Sequence, residues 1–200
     1  MDDFISFFML LILITIFYTY LESKEVEVAY VKSNIDGKDY LVRKMSDMQQ
    51  AADLLCTLNT NLKKLISNVN EKCKTDSSYT HKNITDINRL KGNYNEEHIS
   101  ESSPGNTYTS YSINKGEKIV FCLRSKDNEQ KLIDLNTLTF VAIHELAHLM
   151  TKSIGHEPEF WENMKFLLRE GIYIGIYKKQ DFNSNPVAYC GMTINDTPLK

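Results

Sequence analysis

Two hundred residues with 42% hydrophobic content and a formal net charge of −3 suffice for one buried core, and so for one catalytic-sized domain rather than two. That charge, a pI of about 6.0 and basic groupings no longer than pairs such as Lys63-Lys64 and Lys178-Lys179 exclude a general electrostatic grip on nucleic acid. Four cysteines, Cys56, Cys73, Cys122 and Cys190, form no CxxC pair and read as core thiols or one or two disulfides rather than zinc ligands.

Phe4 to Tyr20 carries no charge. At 1.5 Å per residue it extends about 25 Å, which with local thinning spans a hydrocarbon core of about 30 Å. Met1-Asp2-Asp3 lacks the basic start of a cleavable signal peptide, and Tyr18 and Tyr20 suit a membrane interface. The expectation is a single-pass membrane protein with an uncleaved anchor over residues 1–22 and a domain over 23–200; a signal peptide and a buried core helix are the competing readings. Lys24 and Lys32 favour a cytoplasmic domain, whereas the sequons Asn83-Ile84-Thr85 and Asn195-Asp196-Thr197 favour the opposite side.

Val26, Val28 and Tyr30 alternate with polar residues, Asn34-Ile35-Asp36-Gly37 turns the chain, and Tyr40-Leu41-Val42 continues extended, predicting a β-hairpin. Ser46 and Gln49 have capping-box spacing ahead of a helix whose apolar positions run from Met48 through Leu55, Leu62 and Val69, fading near Glu71 to Lys74. Residues 74–107 are polar and predict exposed connections, with Ile84, Ile87 and Leu90 hinting at a short helix. His81 and His98 in that stretch read as solvated. Tyr108 to Ile113 alternates, Asn114-Lys115-Gly116 turns, and Lys118 to Leu123 reads as a buried strand that could offer an edge to an extended peptide.

Leu135 to Ser153 carries the clearest helical pattern, with Asp134 or Asn136 as cap and Gly155 as terminator. Pro158 opens another helix, in which Phe160, Trp161, Met164, Leu167 and Leu168 recur at core spacing. Inside the first of these helices stands His144-Glu145-Leu146-Ala147-His148. A four-residue step turns about 400°, so both imidazoles share one face and can reach a single Zn²⁺ at about 2.0–2.1 Å. Gly155 lets the backbone leave the helix and bring His156 back as third ligand; Glu170, and less so Glu162, is the alternative. Zinc in such a site polarises a scissile carbonyl and acidifies its bound water, Glu145 takes the proton and passes it to the leaving amine, and Tyr173, Tyr177 and Tyr189 are candidate oxyanion donors.

His144-Glu145-Leu146-Ala147-His148, followed by Gly155-His156 and Phe160-Trp161, resembles the small zinc metallopeptidases of the SprT-like and WLM groups over roughly residues 108–175. The resemblance implies a minimal zincin-like α+β fold, a small twisted sheet with an active-site helix, with His144, His148 and His156 as zinc ligands and Glu145 as general base and acid. The tail Asn185 to Met192 also resembles that of membrane-anchored proteins of large DNA viruses. Well-known members of these groups act on DNA–protein crosslinks, but this chain has no basic patch, so the resemblance implies the chemistry and not that substrate. The expected activity is zinc-dependent hydrolysis of peptide bonds in a protein or peptide substrate near a membrane. The competing class is a non-catalytic membrane-anchored interaction protein that keeps the fold.

Overall fold

The computed structural model describes residues 2–23, 28–77, 79, 81–104 and 108–199. The apolar N-terminal segment forms helix α1 (Asp2–Ser23), yet no helix among the described residues is long and apolar enough to cross a membrane. This overturns the expected anchor over residues 1–22, and with it the single-pass location and the membrane as a partner.

Strands β1 (Val28–Lys32) and β2 (Asp39–Arg43) close the expected antiparallel hairpin, with Val31 opposite Tyr40. Val26, expected to open it, lies outside the described residues. Helix α2 (Met48–Thr75) follows, burying Leu55, Leu58, Leu62, Leu65 and Val69 at the predicted spacing. The capping box does not form. The helix starts at Met48 after Asp47, whose carboxylate pairs with Arg124, while Gln49 Nε2 donates to Lys32 O at 3.0 Å. Tertiary partners outcompete the local cap.

The polar stretch holds more structure than its composition suggests. Helix α3 (His81–Asn93) buries Ile87 and Leu90, and strand β3 (Ile99–Glu101) lies wholly buried beyond it. Glu101 accepts from Arg124 Nε at 2.8 Å and from Arg43 N at 2.7 Å, so an ion pair occupies a place where the sequence would be expected to show an apolar side chain. Strands β4 (Tyr111–Ile113) and β5 (Lys118–Phe121) complete a five-stranded mixed sheet in the order β1-β2-β3-β5-β4. β5 pairs in parallel with β3 and antiparallel with β4, so the free edge beside the later helices belongs to β4 and not to the expected Lys118–Leu123 strand.

Helices α4 (Leu135–Met150) and α5 (Pro158–Tyr173) pack on each other and on α2, and the chain ends in a two-stranded hairpin, β6 (Val187–Tyr189) and β7 (Met192–Ile194). One continuous core runs from Tyr40 to Leu199 and includes Phe121, Leu146, Phe160 and Tyr189. The architecture is mixed α and β, a small sheet with helices.

Candidate metal centre

Helix α4 is fixed at its start by Asp134, one of the two caps the sequence offers, whose Oδ1 accepts from Thr137 N at 2.9 Å. Asn136 does other work, clasping the backbone of Lys178 through both ends of its amide. One turn apart on this helix, His144 and His148 bring their Nε2 atoms to 3.2 Å. The helix stops at Met150, short of the expected Ser153, because Thr151 turns its hydroxyl back onto Ala147 O at 2.7 Å and accepts from Asn163 Nδ2 at 3.0 Å. Gly155 then takes the left-handed conformation, φ +84°, and returns His156 so that its Nε2 lies 3.1 Å from that of His144.

All three nitrogens lie within 4.8 Å of one another. Two ligands on a tetrahedral ion at about 2.0–2.1 Å stand about 3.3–3.4 Å apart, so this donor set fits one shared cation. The ring of Phe160, fully buried, underlies the cluster at 4.8, 4.4 and 4.6 Å from the rings of His144, His148 and His156. Burial, reinforced by the neighbouring imidazoles, holds His144 down at about 3 and His148 at about 4. Both are therefore neutral at physiological pH, the state a metal ligand requires.

Glu145 is 5% exposed and points to the β4 side, where the Ser112 side chain hydrogen-bonds it. Burial pushes its carboxyl up to about 7, against that hydrogen bond. A dication beside it would favour the carboxylate.

The alternative ligands do not join. Glu170 faces α2, accepting from Lys72 Nζ at 2.7 Å and Asn68 Nδ2 at 2.8 Å, and Glu162 is exposed on α5 outside the cluster. His98 is not simply solvated: its Nδ1 lies 2.6 Å from Glu117 O, while the side chain of His81 lies outside the described residues. Of the three tyrosines, Tyr173 is exposed beneath Lys72 Nζ and Tyr177 is buried against Phe140. Only Tyr189 lines the cleft, with its hydroxyl 2.9 Å from Cys122 O and 2.6 Å from Ser110 Oγ.

The cleft itself has a volume of about 650 Å³. Its lining includes α4, with Val141 one turn before Glu145, the β4 edge, and the terminal hairpin through Met192 and Ile194. Cys190, in the hairpin turn, is disulfide-bonded to Cys122 just after β5, while Cys56 is a buried thiol and Cys73 a half-buried one. Sequence reasoning found neither this hairpin nor its tether. The available signal was Tyr189-Cys190-Gly191, a turn-forming glycine beside a cysteine, with short apolar stretches on both sides.

The WLM domain family model matches residues 91–197. The chain belongs to the WLM domain family. A protein of Acanthamoeba polyphaga mimivirus, named only as uncharacterised, is 30% identical over 98% of this chain and 97% of its own length. An uncharacterised protein of Invertebrate iridescent virus 6 is 35% identical over 34% of this chain and 38% of its own length; one of Invertebrate iridescent virus 3 is 36% identical over 42% and 50%. Among solved structures, Wss1 of Saccharomyces cerevisiae aligns with a TM-score of 0.34 and 21% identity over 38% of this chain and 59% of that one. WLM proteins are in general metalloproteases. The WLM match reaches past the 108–175 window of the sequence motifs to include β3 and the terminal hairpin, so the hairpin lining of the cleft belongs to the family's unit.

Proposed function

We propose that this WLM protein is a zinc-dependent endopeptidase, with residues 23–200 as its catalytic domain, His144, His148 and His156 as metal ligands and Glu145 as general base and acid. The observation that carries this reading is the convergence of three imidazole nitrogens beside one buried carboxylate in an open cleft. Three imidazoles and no carboxylate suit zinc, and a three-protein-ligand set leaves a position open for chemistry. A Zn²⁺ held there would polarise the scissile carbonyl and acidify the attacking water.

The chain's own residues do the rest. Glu145 orients the water, takes its proton as the new C–O bond forms, and delivers that proton to the amide nitrogen as the C–N bond breaks. Its burial raises its basicity toward neutrality, where it can both accept and donate. The exposed edge of β4 offers backbone groups to an extended substrate segment, and Val141 and Met192 offer apolar surface to its side chains.

Metal content and casein cleavage, measured on the full chain, test the reading. Wild type is expected to hold one zinc and cleave, and Glu145→Gln to hold zinc and not cleave. Zinc binding without any Glu145-dependent cleavage across a broad peptide library would overturn the peptidase and leave a metal-binding protein.

A further inference from the structure

Lys115 occupies a conformation that its position in the chain does not favour. Asn114 (φ +46°) and Lys115 (φ +53°) are the central residues of a β-turn within the four-residue connection 114–117 between β4 and β5, closed by Gly116 N donating to Ile113 O at 3.0 Å. A turn with both central residues left-handed favours glycine at the second, because an L side chain there crowds its own backbone. Gly116 is packed so that an added Cβ would lie 2.0 Å from Asn93 O. A lysine in the left-handed region beside so closely packed a glycine needs a reason, and the reason is where its ammonium goes.

Lys115 Nζ donates to Thr151 O at 2.6 Å, Lys152 O at 2.9 Å and Ser153 O at 2.9 Å. These are the carbonyls just past the end of α4, which have no intrahelical partner, and a cation suits that end of a helix dipole. The two preceding carbonyls are taken by α3: Asn93 Nδ2 donates to Leu149 O at 3.0 Å and Arg89 Nη1 to Met150 O at 2.7 Å. Five successive carbonyls are thus held from outside the helix, the last three by one ammonium. Immediately beyond them come Ile154, 88% exposed, then left-handed Gly155 and His156. A second anchor is Ser153, whose hydroxyl donates to Glu159 at 3.0 Å.

We propose that Lys115 is a positioning residue for the third metal ligand: it clamps the backbone from which His156 departs, so that the imidazole meets His144 and His148 without the loop having to be ordered by the metal. This rests on the reading of His156 as a ligand. Although Lys115 borders the cleft, its three protons are all committed to carbonyls, so it is not a substrate-binding group. Preorganisation of this kind shows in how slowly a ligand set releases its ion.

The test uses Co²⁺ as a spectroscopic stand-in for zinc on the full chain, with release into excess chelator followed by visible absorption. Lys115→Gly removes the clamp while giving the turn the residue its backbone prefers, so the fold is retained; Lys115→Met is the second variant, and far-UV circular dichroism of the metal-free proteins checks both. The expected result is native-like circular dichroism, Co²⁺ release at least tenfold faster than wild type in both variants, and an altered visible spectrum approaching that of His156→Ala. Release within twofold of wild type in a folded Lys115→Gly, with His156→Ala fast, would overturn the clamp alone. No Co²⁺ binding by wild type, or none lost in His156→Ala, would overturn the ligand reading and the clamp with it.

Discussion

The two sides of the cleft are built in opposite ways. On the α4 side everything is local: two histidines four residues apart, a glutamate between them, and a third histidine eight residues further on after a left-handed glycine. On the hairpin side nothing is local. Met192 and Ile194 reach the cleft because Cys190 is bonded to Cys122, 68 residues earlier, and because Tyr189 hydrogen-bonds the carbonyl of that same Cys122. The proposed chemistry sits on short-range geometry, and the hairpin lining of the cleft sits on long-range cross-links. Changes on the first side should abolish turnover, and changes on the second should alter binding and stability with the metal retained.

The largest effect is expected at Glu145. Loss of a positioned acid–base group lowers rates by about 10²–10⁴-fold, so Glu145→Gln should reduce kcat on a fluorogenic peptide by that factor with unchanged zinc stoichiometry. Equal activity in the two proteins would remove the carboxylate from the mechanism. Next comes His156→Ala, which leaves two imidazoles where a catalytic zinc site needs three protein donors. Competition with a chromophoric chelator should show zinc affinity weakened by more than about 100-fold, beyond the 10–100-fold typical of losing a group that merely orients a ligand. Unaltered affinity would return the third position to another residue.

The asymmetry also explains what the sequence could reveal. The four-residue spacing of His144 and His148, the Asp134 cap and the glycine before His156 are decided within one or two turns of chain, and the structure follows them. β3 was hidden because its buried Glu101 finds Arg124 and the backbone of Arg43, partners that no periodicity displays. The same arginine draws away Asp47 and dissolves the expected capping box at Ser46 and Gln49. Which of β4 and β5 forms the edge depends on β3 having inserted beside β5, so the sheet order was unreadable for the same reason. The uncharged run Phe4 to Tyr20 suggested an anchor, but no helix among the described residues is long and apolar enough to bear it out.

On the hairpin side, Cys190→Ser sharpens the contrast. The chain-entropy argument for a bond closing 68 residues gives about 4 kcal/mol, and native bonds typically contribute about 2–4 kcal/mol. For a domain of this size that lowers Tm by roughly 5–15 °C, measurable by calorimetry. At a temperature where the variant stays folded, KM should rise while zinc content and kcat change little. A fall in zinc content instead would show that the two sides are coupled, against the division drawn above.

The smallest effect, and the most discriminating, is expected from Gly155→Ala. An added Cβ would have nothing within 4 Å, so no clash arises and the whole cost is the left-handed backbone at φ +84°. That cost is about 1–2 kcal/mol for an L residue. The loop is exposed at Ile154 and His156, so it can relieve the strain by shifting rather than by unfolding the core. Tm should then fall by only a few degrees, while zinc affinity drops by up to about tenfold as the His156 imidazole moves off its partners. A variant with a lowered Tm and full zinc affinity would mean that the backbone can hold the left-handed turn against its preference. It would also place the control of His156 upstream of Gly155, at the carbonyls that Lys115 holds.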